Sequence, residues 1–174
     1  MALAVCLLPD PADERALVRL WRRVEAAGVP SMATHTHGAH LPHLSYAVLR
    51  TYDVTVVHDA VATLPDGGPL TLHLSAVATA PRGRVWLVPA ASAELVRRQR
   101  AVVEAVTATG AELHRHYVPG RWLPHLSLVP RARLVDLPVV ADVAYAVLPL
   151  EVHATRAALI DSATGERWPL GTLP

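Results

Sequence analysis

Leu41-Pro42-His43-Leu44-Ser45 recurs residue for residue as Leu123-Pro124-His125-Leu126-Ser127, 82 positions later in the 174-residue chain. Five identical residues in a row indicate an internal repeat, because such identity rarely arises by chance. The same offset aligns Gly28 with Gly110, so each copy has a glycine fifteen residues before its histidine. We therefore expect two copies of one folding unit.

The first copy predicts a strand followed by an amphipathic helix. Residues 3–8 form an apolar run, which indicates a buried strand. Asp10 has the position of a helix N-cap, and Pro11 follows at the first helical position. Apolar residues then recur at helical spacing, and Gly28 ends the pattern; they are Leu17, Leu20, Trp21 and Val24.

The second copy predicts the same order of elements. Residues 85–88 form the strand, Ser92 is the expected helix cap, and Gly110 ends the helix. In both copies a loop leads to a strand that begins at the motif histidine. Short helices are expected at residues 54–64 and 139–147. A hairpin turn at residues 161–165 precedes a last strand near residues 167–170.

The predicted fold class is therefore α+β, with two similar lobes that arise from an internal duplication. The approximate repeats are residues 1–80 and 83–174, each roughly β-α-β-α-β. No Ser- or Gly-rich linker separates them, so we expect a single bilobal domain over residues 1–174. A pseudo-two-fold axis would relate the lobes and leave a cleft between them.

The motif residues alternate in a way that predicts a polar cleft. Side chains at i and i+2 of a strand point to the same face. His43 and Ser45 therefore share one face, as do His125 and Ser127, whereas the leucine between them points into the core. The pseudo-two-fold axis would bring two imidazoles and two hydroxyls together.

This set of groups suits a phosphodiester substrate. Imidazole titrates near neutral pH, so His43 and His125 can act as a general base and a general acid. The hydroxyls of Ser45 and Ser127 can hydrogen-bond the phosphate oxygens on which charge accumulates. Neither a metal ion nor another cofactor nor a covalent intermediate is required.

Composition excludes several other classes of function. The chain contains no lysine, so its 16 basic residues are all arginine. This excludes a lysyl-adenylate ligase, a Schiff-base enzyme and a P-loop NTPase. The formal net charge of +1 argues against binding to long duplex nucleic acid. No apolar run approaches the length of a membrane span, and a single cysteine fits a cytoplasmic protein, which we expect to be monomeric.

The motifs His43-Leu44-Ser45-Tyr46 and His125-Leu126-Ser127-Leu128 resemble those of the 2H phosphoesterase superfamily, specifically its bacterial 2′-5′ RNA ligase and cyclic phosphodiesterase branch. The resemblance covers nearly the whole chain. It implies a bilobal fold with the cleft between the lobes. It also implies metal-independent activity on 2′,3′-cyclic phosphates, 2′-5′ RNA linkages or RNA 3′ ends, so the expected partner is an RNA 3′ terminus or a small cyclic nucleotide.

One departure from the family pattern concerns Arg131. Family members often carry an arginine or an aromatic residue close behind the second motif, but here Val129 and Pro130 intervene. A continuing strand would carry Arg131 roughly 20 Å from His125, because strands advance about 3.3 Å per residue. Only a bend at Pro130 would return Arg131 to the cleft.

The loops before the two motifs supply further candidates for substrate binding. Residues 114–122 mix basic and aromatic side chains, so Tyr117, Arg121 and Trp122 are candidates for stacking a base or holding a phosphate, although Trp122 is equally consistent with a core position. Residues 34–40 are rich in histidine, and His40 is a candidate at the cleft rim. A metal site that uses His35, His37, His40 and His43 is the alternative for this loop.

Two alternatives to an RNA-end phosphoesterase remain open. The near-neutral charge is also consistent with a cyclic phosphodiesterase of a small nucleotide metabolite. A non-catalytic RNA- or nucleotide-binding module is the alternative from another class, and the presence of all four polar motif residues counts against it. Turnover that depends on both motif histidines would separate an enzyme from a binding module.

Overall fold

The structure, a computed structural model, describes residues 2–174. It contains four α-helices and seven strands in the order β1 (Leu3–Pro9), α1 (Pro11–Ala26), β2 (Leu44–Leu49), α2 (Val54–Ala62), β3 (Leu70–Ala80), β4 (Arg84–Pro89), α3 (Ala93–Ala108), β5 (Leu126–Val129), α4 (Leu137–Tyr145), β6 (Leu150–Asp161) and β7 (Arg167–Leu170). The order β-α-β-α-β thus occurs twice before β7, and the α+β class predicted from the sequence is confirmed. Within residues 2–174, no helix has the length and apolar character needed to cross a bilayer.

The helix boundaries follow from local chemistry. Asp10 accepts hydrogen bonds from the backbone of Ala12 and Asp13, which caps α1 as predicted. The Ser92 hydroxyl caps α3 in the same way. Gly28 and Gly110 follow the two helices with φ of 87° and 82°, a conformation that glycine adopts without strain. Helix α4 begins two residues earlier than predicted, because a proline fits its first turn.

All seven strands belong to one antiparallel sheet with the order β1-β2-β5-β4-β3-β6-β7. Strand β1 also pairs with β6, so strands β1 to β6 form a closed ring and β7 extends the sheet from β6. The first half of β3 pairs with β6 and its second half with β4. In the same manner, β6 pairs first with β3 and then with β1. The two halves of the chain therefore share one sheet instead of forming separate sheets.

The register of the ring repeats between the two halves. The pairs Leu3↔Asp161 and Ala4↔Ile160 of β1–β6 correspond, at an offset of 82 residues, to Val85↔Thr79 and Trp86↔Ala78 of β4–β3. At the start of β3 and β6 the offset is 80 residues instead. Each pairing contains one irregularity: β6 has one unpaired residue between Ala154 and Arg156, and β3 has one between Leu74 and Ala76.

The alternation along the strands divides the sheet into two faces. One face carries the main hydrophobic core and packs against the helices, which contribute Leu17, Trp21, Val102 and Val106. The opposite face carries the motif histidines and serines and a small apolar cluster around Cys6 and Ile160. The second face forms the floor of a groove.

Candidate active site

The two histidine motifs meet where β2 pairs with β5. The pairing consists of the single register pair Leu44↔Leu126, and both leucines are buried in the core. The residues on either side of each leucine therefore point to the groove. Because the strands are antiparallel, His43 lies on the side of Ser127, and His125 on the side of Ser45.

The backbone holds both imidazoles in the same way. His43 Nδ1 lies 2.7 Å from the carbonyl oxygen of Leu41, and His125 Nδ1 lies 2.8 Å from that of Leu123. A carbonyl oxygen only accepts, so Nδ1 carries the proton in both rings and Nε2 is left for a ligand. The proline that follows each leucine favours an extended backbone at that leucine. This geometry explains why Leu-Pro precedes both motif histidines.

The protein environment favours the neutral form of both imidazoles. Burial lowers the pKa of His43 below its ordinary value, and the bond to the Leu41 carbonyl partly opposes this. Burial likewise lowers the pKa of His125, where the positive charges of His43 and Arg84 add to the effect. A proton on one histidine therefore disfavours a proton on the other, as in an acid/base pair.

The Ser45 hydroxyl lies on the groove floor beside two other polar groups. Its Oγ is 3.6 Å from the Sγ of Cys6, which is fully buried. Burial raises the pKa of the Cys6 thiol to about 12, so Cys6 stays protonated and is no nucleophile. Burial also raises the pKa of Tyr117 to about 12, and a hydrogen bond with the Ser45 side chain opposes that rise. Tyr117 thus lies next to the first motif.

Two tryptophans hold the backbone of the motif serines. The indole N–H of Trp122 donates to the carbonyl oxygen of Ser45 at 3.1 Å, and that of Trp21 donates to the carbonyl oxygen of Ser127 at 3.0 Å. Strands β2 and β5 share only one register pair, so indole donors here supplement the ladder. Trp122 also packs against the buried ring of Tyr46. Its contacts support the core position more than base stacking.

The groove contains two adjoining cavities. The His43-side cavity has a volume of about 700 Å³ and is lined by His43, Ser127, His40 and Arg131, among others. The His125-side cavity has a volume of about 620 Å³ and is lined by His125, Tyr117, Arg121 and Trp122, among others. Arg82, Arg84 and Trp86 line both cavities.

Arg131 reaches the groove because the chain bends after β5. The strand ends at Val129, and a bend follows at Pro130. The backbone N–H of Ala132 then donates to the carbonyl oxygen of Gly83, in the turn between β3 and β4. A Cβ at Gly83 would lie 2.0 Å from that backbone, so only glycine permits this close approach. The contact holds Arg131 at the cavity beside the turn that carries Arg82.

A family model described as the 2′-5′ RNA ligase superfamily matches residues 8–166. The chain belongs to this superfamily. Its members are 2H phosphoesterases, which confirms the resemblance seen in the two motifs. Among proteins with curated annotation, none matches the sequence.

Solved structures of superfamily members share the fold. Escherichia coli LigT, solved as a complex with 3′-AMP, superposes with a TM-score of 0.60 at 16% identity, and the match covers 98% of each chain. LigT complexed with NADP+ gives a TM-score of 0.56 at 20% identity, covering 97% of this chain and 93% of LigT. Kluyveromyces marxianus Usb1 gives a TM-score of 0.51 at 13% identity, and the match covers 97% of this chain and 98% of Usb1. At these identities the likeness concerns the fold.

Three groove residues of this superfamily member escaped the sequence analysis. The rings of Trp86 and His125 stack with centroids 4.1 Å apart and an interplanar angle of 26°. Trp86 pairs with Ser127 in the β4–β5 register and hence faces the groove, between the buried Val85 and Leu87. Arg82 and Arg84 lie at the β3–β4 turn. The alternation within β4 was the available signal for Trp86, whereas only the folded sheet brings the turn to the groove.

The histidine-rich loop is folded on itself and lines the His43-side cavity. His37 Nδ1 accepts from the backbone N–H of Ala39, and His40 Nε2 lies 2.7 Å from the hydroxyl of Thr36. Within residues 2–174, the donor atoms of this loop do not converge as metal ligands do; the group that does so is Asp10, Asp13 and His153. Those three are already engaged, since Asp10 caps α1 and His153 pairs with Asp13.

Proposed function

We propose that this superfamily member is a metal-independent phosphoesterase that acts on 2′,3′-cyclic phosphate ends of RNA or on related 2′-5′ linkages, through His43 and His125. The observation that carries the proposal is the matched pair of imidazoles. Each binds a backbone carbonyl through Nδ1 and leaves Nε2 for the substrate. Two such nitrogens on one groove floor suit a reaction at a phosphodiester in which one group takes a proton from the nucleophile and the other gives a proton to the leaving oxygen.

The chemical step uses one histidine in each role. In hydrolysis of a cyclic phosphate, the neutral imidazole takes a proton from a water molecule while the oxygen of that water attacks phosphorus. The imidazolium gives a proton to the ribose oxygen while the bond between that oxygen and phosphorus breaks. In ligation a ribose hydroxyl replaces water as the nucleophile, so the two histidines keep these roles. They exchange roles in the reverse reaction, cleavage of the linkage, by microscopic reversibility.

The groove also contains groups that can hold the phosphate. The hydroxyls of Ser45 and Ser127 lie in the same motifs as the imidazoles and can donate to the non-bridging oxygens. Arg82, Arg84 and Arg131 add positive charge at the cavities without belonging to ion pairs shorter than 4.0 Å among the described residues. Guanidinium groups bind phosphate through paired N–H donors. We assign Arg82 and Arg84, which line both cavities, to the phosphate of the substrate.

Turnover of an RNA oligonucleotide that ends in a 2′,3′-cyclic phosphate tests the proposal. In the presence of EDTA we expect opening of the ring to a phosphomonoester, because the groove supplies the acid, the base and the anion-binding groups from its own side chains. The measurement is product analysis by chromatography with and without EDTA. Turnover of adenosine 2′,3′-cyclic monophosphate alone would favour the small-metabolite phosphodiesterase, and binding with no turnover of either substrate would favour the binding module.

The pH profile gives an independent check on the acid/base pair. Catalysis requires one neutral imidazole and one imidazolium, and the pKa values of both histidines are lowered below 6.5. Because these pKa values are lowered, a neutral imidazole is already available as the base in mildly acidic solution. The imidazolium that serves as the acid is depleted as the pH rises. We therefore expect a bell-shaped profile of kcat/KM whose maximum lies below pH 6.5. A maximum at pH 7.5 or above would contradict the assignment of both roles to this pair.

The profile of kcat should lie at higher pH than that of kcat/KM. A bound phosphate anion next to both imidazoles favours their protonated forms, so the pKa values rise in the complex. Stopped assays across pH 4.5–9 at saturating and at low substrate separate the two profiles. Coincident profiles would mean that the substrate phosphate does not contact the titrating groups.

A further inference from the structure

The His43-side cavity extends beyond the space that a phosphate occupies. Its volume of about 700 Å³ lies within the range of about 300–1,000 Å³ that small-molecule sites have. The His125-side cavity offers a comparable space on the other side of Arg84 and Trp86. A cyclic phosphate end has a nucleoside on one side of the phosphorus only, so one of these cavities would suffice for it. Two cavities suit a phosphodiester with a nucleoside on each side.

Three neighbouring imidazoles, those of His35, His37 and His40, form part of the wall of the His43-side cavity. The ring centroids of His35 and His40 are 5.5 Å apart with an interplanar angle of 19°, and those of His37 and His40 are 4.2 Å apart. Thr36 and Gly38 have positive φ values of 47° and 66°, which turn the backbone sharply enough to bring the three rings together. The loop therefore presents flat rings instead of a solvated chain.

Neighbouring elements hold this loop in place at both ends. Thr34 donates to the Glu25 carboxylate of α1 at 2.7 Å, and Arg167 of β7 donates to the carbonyl oxygen of Ala39 at 3.0 Å. Between these anchors the His37 ring lies against Gly165 of the β6–β7 turn, where a Cβ would come within 2.8 Å of the ring. A wall that is already ordered costs less entropy when a ligand binds.

The chemistry of this wall suits a nucleobase. Bases stack on imidazole rings and on guanidinium planes, and the cavity contains both, the latter from Arg131 and Arg167. Burial, reinforced by the neighbouring His37, His35 and His43, lowers the pKa of His40 to about 4. At neutral pH, His40 is therefore an uncharged flat ring, which can stack without attracting a second phosphate.

We propose that the His43-side cavity is a nucleoside subsite formed by residues 34–40, Arg131 and Arg167, and that it binds the nucleoside that supplies the 5′-oxygen of a 2′-5′ phosphodiester. This inference rests on the function proposed above. The other nucleoside occupies the His125-side cavity, beside Trp86 and Tyr117. The scissile phosphate lies between them, at the motif histidines and serines.

The reaction then balances without a further reactant. The free 3′-hydroxyl of the nucleoside on the His125 side attacks phosphorus, and His125 takes its proton. The bond from phosphorus to the 5′-oxygen breaks, and His43 gives that oxygen a proton. The products are a 2′,3′-cyclic phosphate and a nucleoside with a free 5′-hydroxyl, and the reverse step joins them.

The test compares two substrates in the full-length protein. Adenylyl-(2′-5′)-adenosine needs both cavities, whereas adenosine 2′,3′-cyclic monophosphate needs only the His125-side cavity. In the double variant H35A/H40A we expect kcat/KM for the dinucleotide to fall at least about fivefold through KM, as loss of base stacking does. In the same variant, kcat/KM for the cyclic nucleotide should stay within about twofold of the wild-type value. H35F/H40F, which keeps two flat rings, should retain most of the dinucleotide activity.

A control variant and the possible negative results distinguish the subsite from the proposed function. His73→Ala removes an exposed histidine outside both cavities and should leave kcat/KM unchanged for both substrates. Equal losses on both substrates in H35A/H40A, or no loss on the dinucleotide, would overturn the subsite. If wild type turns over neither substrate, calorimetry decides: tighter binding of the dinucleotide than of adenosine 3′-monophosphate, lost in H35A/H40A, supports the subsite, and equal binding overturns it.

Discussion

Replacing either His43 or His125 by alanine should lower kcat/KM on a 2′,3′-cyclic phosphate by about 10²–10⁴-fold, the usual contribution of a general acid or base. Both losses should be large, because each imidazole is held by the same Nδ1 contact and each performs one of the two proton transfers. The double variant should lose little more than the weaker single variant, since the two groups act as a unit. Steady-state kinetics of the three proteins measure this.

The matched control for the histidine variants is His73→Ala. His73 is exposed and its Nδ1 lies 3.2 Å from Glu151, so its loss should leave kcat/KM within about twofold of wild type. Thermal unfolding of all four variants would show whether a loss of activity reflects a loss of folded protein. If His43→Ala or His125→Ala keeps more than about a tenth of the wild-type activity while folded, that histidine does not serve as acid or base.

Replacing Ser45 or Ser127 by alanine should lower kcat by about 10²–10³-fold, the effect of removing one donor to a developing oxyanion. Each hydroxyl is two residues from a motif histidine on the groove face, so it is placed to donate to a non-bridging oxygen. Single-turnover assays at saturating substrate measure the chemical step directly. The binding of a nucleoside monophosphate should change much less than kcat.

Threonine provides the matched control at both serine positions. It keeps the hydroxyl and should retain most of the activity. Half-buried Ser45 has Cys6 and Tyr117 as neighbours, so its replacement could also disturb packing. A similar loss in the threonine and alanine variants would assign the serines to packing instead of to phosphate binding.

The order of elements could be predicted because it depends on local signals. The caps at Asp10 and Ser92, the glycines at 28 and 110 and the apolar spacing in α1 all act within a few residues. The repeated motif then aligned the two halves and indicated the shared groove face. The position of the four motif residues follows from the strand period of two, and needs only the pairing of β2 with β5.

The closed ring and the partners of the histidines could not be predicted, because they depend on pairings between distant strands. Nothing local to β4 indicates that it pairs with β5, and this register places Trp86 against His125. The return of Arg131 to the groove likewise depends on the contact of Ala132 with Gly83, in a turn about fifty residues earlier. Such contacts arise from the assembled sheet and leave no periodic signal in the sequence.

A crystal structure of the protein with adenosine 3′-monophosphate would show whether both imidazoles act on one phosphate. We expect the phosphate between the two rings, with one oxygen within about 3.2 Å of the Nε2 of His43 and another near the Nε2 of His125. The hydroxyls of Ser45 and Ser127 should contact the remaining oxygens. A phosphate bound at the arginines of the β3–β4 turn, with neither imidazole in reach, would contradict this expectation.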